Sequence, residues 1–146
     1  MNATSDIAYN NYWLAMDYLG SAEQALARGD VRFAVYAVYH SAELAVMALL
    51  ALEGRYSPRN RQTLIGQLGR VFIAEIPLFS REQGRTFYIL SRREQKARSV
   101  WNAELTESMA AEGIALARDL AVRLNQYLAD TADTSTDDSD EQKDNP

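Results

Sequence analysis

The sequence predicts an all-α protein, an up-and-down antiparallel bundle of four to five helices. Three observations carry this. Apolar residues recur at three- and four-residue spacing, and no stretch alternates apolar and polar residues as a half-buried strand does. Capping residues and glycines fall at the ends of the periodic runs. The chain has 146 residues, 47% apolar and 24% charged, ordinary figures for one globular domain.

Thr4 to Arg28 reads as the first helix, capped by Ser5 or Asp6. Its apolar stripe is Ala8, Tyr12, Ala15, Leu19, Ala22 and Leu26, widened by Tyr9, Trp13 and Met16. Gly29 supplies the stop and Asp30 the next N-cap. The second helix, Asp30 to Glu53, is apolar nearly all round, which places it in the middle of the bundle. The short turn makes it antiparallel to the first. Gly54 ends it. After a loop containing Pro58, Asn60 caps a shorter third helix carrying Leu64, Ile65, Leu68, Val71 and Phe72, which Ile76-Pro77 breaks. Ser80 caps a fourth helix reaching about Arg98. Following the polar stretch Ser99 to Leu105, Thr106 caps a last long helix to about Ala129. The bundle domain is therefore expected over 1–129. The segment 130–146 is acidic and poor in apolar residues, so a disordered tail is expected there.

Composition removes several classes of chemistry. The chain has no cysteine, which excludes disulfides, thiolate metal sites and a cysteine nucleophile. Its one histidine, His40, excludes sites needing two imidazoles in one chain. No glycine-rich phosphate loop occurs. The N-terminus lacks the ordered regions of a signal peptide. The longest apolar run, Leu44 to Leu52, is too short for a bilayer. A cytoplasmic location is expected, with no membrane partner.

Charge is uneven. Residues 55–98 hold ten Arg or Lys against three acids, Glu75, Glu82 and Glu94. Residues 1–54 hold two basic residues and six acids. The tail holds seven acids and Lys143. A basic island between acidic segments suits an anionic partner such as RNA, a nucleotide or an acidic protein.

The island lies within a recognisable run of sequence. Ala25-Leu-Ala-Arg-Gly-Asp30 ends the first helix, and Arg32-Phe-Ala-Val-Tyr-Ala-Val-Tyr-His-Ser-Ala-Glu-Leu-Ala45 opens the second. Ala48-Leu-Leu-Ala-Leu-Glu-Gly54 follows, then a segment from Ser57 to Phe72. Over about residues 8 to 128 this resembles the HEPN domain, a helical nucleotide-binding domain, and especially its small stand-alone prokaryotic members. The resemblance implies a bundle that dimerises, and a partner of the nucleotidyltransferase kind, as in toxin–antitoxin pairs. Active members are metal-independent endoribonucleases. Their signature is an Arg followed a few residues later by a His near the start of the last major helix, and two such motifs meet across the dimer.

The matching region here is Arg92-Arg93-Glu94-Gln95-Lys96-Ala97-Arg98-Ser99-Val100, with no histidine. Many relatives also carry a His before the third helix, where this chain has Arg61. Without an imidazole there, no group near neutral pH moves the proton of a ribose 2′-hydroxyl, and arginine cannot act as the base. The expectation is thus a non-catalytic, homodimeric binding module with no metal or cofactor. Its phosphate-binding residues would be Arg59, Arg61, Arg92, Arg93, Lys96 and Arg98. His40 and Glu43 are candidates for a groove. The alternatives are a divergent ribonuclease recruiting His40 or Tyr88, and a purely structural dimerisation domain.

Overall fold

The computed structural model describes residues 3–55 and 60–143, with side chains over 5–55 and 60–132. Helix α1 spans Ala3–Ala27 and α2 spans Val31–Leu52. The turn between them needs Gly29, whose φ of +82° lies in the left-handed region closed to most side chains. Asp30 then caps α2 by accepting from the Phe33 amide at 3.2 Å. The two helices are locked along their length, and the buried Ser41 hydroxyl donates to the Ala15 carbonyl at 2.7 Å.

Helix α2 is the centre of the bundle and packs on α1, on α4 (Arg81–Ser99) and on α5 (Glu107–Lys143). Twelve of its 22 residues are buried, among them Tyr39, Val46, Leu49 and Leu50. The helix as a whole is long and apolar enough to cross a membrane, which the Leu44–Leu52 run alone did not suggest. In this fold most of its apolar window is covered by the other helices.

Asn60 caps α3 (Arg61–Gly69) by accepting from the Thr63 amide at 2.8 Å. The chain continues into a π-helical turn, Arg70–Glu75, before Ile76-Pro77 stops it. A reciprocal capping box between Ser80 and Gln83 starts α4. Thr106 accepts from the Met109 amide to start α5. At Gly113, α5 comes so near its neighbours that a Cβ would lie 2.9 Å from Val38 Cγ1 and 3.0 Å from Leu90 Cδ1.

Three expectations change. The sequence puts Trp13 beside the apolar stripe of the first helix and Phe33 in the apolar second helix, yet they are 64% and 40% exposed. Trp13 points roughly opposite the buried line Ala8, Ala15, Ala22 of α1, and Phe33 lies on the outer edge of α2. Helix α5 does not end near Ala129. It runs through Lys143 into the segment read as tail, because no glycine or proline separates Gly113 from Pro146. Among the described side chains the last core residue is Leu128.

Candidate functional site

The site candidates gather on α4 and on the face of α2 beside it. Helix α4 buries Phe87, Leu90, Ser91, Glu94 and Ala97, so these residues define its inner side. At about 100° per residue, Arg81, Arg85, Tyr88, Arg92 and Lys96 fall on the opposite side, along roughly 22 Å of helix. All five are exposed. Among the described residues none of these four cations has an ion-pair partner. The spacing from Arg81 to Arg85 and from Arg92 to Lys96 is about 6 Å along the axis.

The other predicted cations are engaged. Glu94 is fully buried. It holds Arg61 Nη1 at 2.5 Å and Arg98 Nε at 3.0 Å. Arg61 also donates to the Ser91 carbonyl at 3.2 Å, and its guanidinium lies 4.0 Å above the centre of the Tyr39 ring. Arg93 is paired with Glu112 at 2.8 Å. Arg59 lies outside the described residues. Of the six predicted phosphate ligands, Arg92 and Lys96 are free, whereas Arg61, Arg93 and Arg98 spend donors on carboxylates. Sequence reading passed over Arg81 and Arg85. Their four-residue spacing, repeated at Arg92 and Lys96, was the available signal.

His40 sits at the mouth of the Glu94 cluster and is about one-quarter exposed. Its Nε2 lies 3.8 Å from Glu94, and its Nδ1 lies 3.7 Å from Glu43 on the same helix. Its ring packs against Tyr36 at 4.6 Å and Tyr18 at 5.7 Å between centres. Burial by itself would raise the Glu43 carboxyl. The neighbouring His40 imidazole, Tyr39 hydroxyl and Arg61 charge outweigh burial, and its pKa falls below the ordinary value. The buried Tyr39 hydroxyl faces the Glu43 carboxylate. Burial, then the nearby Glu43, raise its pKa. The predicted groove residues His40 and Glu43 are thus brought together, and Glu94 is the partner that sequence reading left out. Its tie to Arg61 crosses 33 residues of chain, beyond any local pattern.

No cluster of three or more metal-type ligands occurs among the described residues. Arg32 closes the site's far end by donating to the carbonyls of Ala97, Val100 (3.0 Å) and Trp101 (2.7 Å). This caps the open end of α4 with a cation, where the helix dipole favours one.

A family model, HEPN domain, matches residues 12–125. The chain belongs to the HEPN family. That membership fits the all-α bundle, and the match runs from within α1 to about the middle of α5. No match is found among curated proteins. In this HEPN chain, Arg98 is bonded to the buried Glu94.

Proposed function

We propose that this HEPN protein is a non-catalytic binding module that holds RNA phosphates on the outer face of α4. One observation carries the reading: Arg81, Arg85, Arg92 and Lys96 form a straight line of cations with no carboxylate paired to any of them among the described residues. Pairing with acids would have used their donors. Left free, the three arginines present guanidinium forks and Lys96 an ammonium, all suited to phosphate oxygens. Tyr88, at the middle of the line, adds an exposed ring.

The module works as a homodimer in this reading. Phe33, Tyr36, His40, Leu44 and Met47 make a half-covered stripe down the outer edge of α2, and Ile7, Leu14 and Tyr18 of α1 border it. A second copy closes this seam.

Retention of labelled single-stranded RNA at low and moderate salt tests the binding. Salt-sensitive retention, lost in the Arg85→Ala/Arg92→Ala/Lys96→Ala triple variant, supports it. Retention that survives the triple variant overturns it.

A second reading has its own observation. His40 is held between Glu94 and Glu43 with Arg98 close by, the parts needed for proton transfer next to a phosphate. RNA cleavage that disappears in His40→Asn with the fold intact would establish that reading in place of the first.

A further inference from the structure

Beside the cationic line, α4 and α5 part to leave an open trough of about 910 Å³, within the usual range of ligand clefts. Its floor is apolar, made by Ile89 of α4 and Ala115 and Leu116 of α5. Polar clasps span its two ends. One is the Arg93–Glu112 ion pair, the other a hydrogen bond from Gln83 Nε2 to Asp119 at 2.6 Å. The distance from Gln83 to Arg93 along α4 gives the trough a length of roughly 15 Å. Arg81 and Arg85 belong both to its rim and to the cationic line.

A trough of this kind selects for chemistry on both sides of its rim. Anions are favoured on the outer edge, where the cations stand. They are disfavoured over the apolar floor, which offers them no donor: Arg93 there is already neutralised by Glu112, and Glu82 adds negative charge. The matching ligand carries anions at regular intervals and flat, weakly polar groups to one side. Inorganic phosphate lacks the flat groups, and a duplex keeps them stacked within itself.

We propose that the α4–α5 trough receives unstacked bases of a single-stranded nucleic acid whose phosphates run along Arg81, Arg85, Arg92 and Lys96. This rests on the phosphate-binding reading above and names the ligand class that the face takes. Bases lie on Ile89, Ala115 and Leu116. The Arg93 guanidinium, with Nη1 fixed on Glu112, offers a planar surface at one end. The Thr86 hydroxyl, which donates to the Glu82 carbonyl at 3.0 Å, keeps its lone pairs for a base amino group.

The test is fluorescence anisotropy with three probes of equal length: oligouridylate, an abasic phosphodiester strand, and a duplex. Each is titrated with the full chain, with Ala115→Trp, and with Arg85→Ala/Arg92→Ala. Ala115 is exposed, so the indole fills the trough without entering the core. Circular dichroism checks each fold. Oligouridylate should bind about tenfold more tightly than the abasic strand, a base-contact effect of ordinary size. Ala115→Trp should erase that difference while leaving the abasic strand's affinity unchanged. Equal affinity for base-bearing and abasic strands, or an Ala115→Trp variant that still discriminates, overturns the trough and leaves the cationic line standing. Failure of all three probes to bind overturns both.

Discussion

Glu94 decides most at the scale of single residues. It is the only acid among the described residues that is wholly buried, and it bridges α4 to Arg61 of α3 while lying beside His40 of α2. Removing one partner of a buried pair leaves the other charge without compensation. Glu94→Ala should therefore cost about 3–5 kcal/mol of stability in urea denaturation. Arg98 is over half exposed, so Arg98→Ala should cost at most about 1 kcal/mol, as solvent-screened pairs do. Glu43 supplies a pH dependence. Its folded pKa is depressed, so the stability it contributes is complete above the unfolded value near 4.5 and is lost as pH falls through the lower folded value. The stability gap between the natural protein and Glu43→Gln should accordingly shrink on acidification across that window. A gap that is constant with pH would show that Glu43 acts by shape alone.

Helix ends and helix crossings are where local sequence and tertiary packing meet. Asp30, Asn60, Ser80 and Thr106 each cap the helix that the sequence assigned to them, because a side-chain oxygen followed by a periodic apolar run is a local device. Asp30→Ala should cost about 1 kcal/mol, read from a thermal melt. The π-helical turn after Gly69 and the close approach at Gly113 were not legible. The approach at Gly113 answers to neighbours distant in sequence. Gly113→Ala should destabilise by about 1–3 kcal/mol, since Val38 and Leu90 must shift to admit the methyl group. The outer face of α4 belongs to this scale as well. Replacing Arg81, Arg85, Arg92 and Lys96 by alanine should lower the slope of log affinity for RNA against log salt by about 3, from four phosphate contacts on a single strand. A slope unchanged in the quadruple variant would place the phosphates elsewhere.

For the whole molecule, the bundle covers α2 on three sides with α1, α4 and α5 and leaves one edge half open. Phe33→Glu sets a charge on that edge without disturbing the core, as Phe33 is already 40% exposed. Sedimentation velocity should show the natural chain as a dimer and the variant as a monomer. A natural chain that sediments as a monomer at all concentrations would remove the dimer from the proposal.

The sequence by itself determined the all-α class, the caps, the central place of α2, the basic island and the single histidine, since all of these follow from periodicity, local hydrogen bonding and residue type. Only the tertiary structure decided which cations are free. Arg61, Arg93 and Arg98 count the same as Arg92 and Lys96 in a charge tally. Packing turns the first three toward Glu94 and Glu112 and the other two toward solvent. A carboxylate that meets its guanidinium across 33 residues is positioned by the fold, and local spacing carries no trace of it.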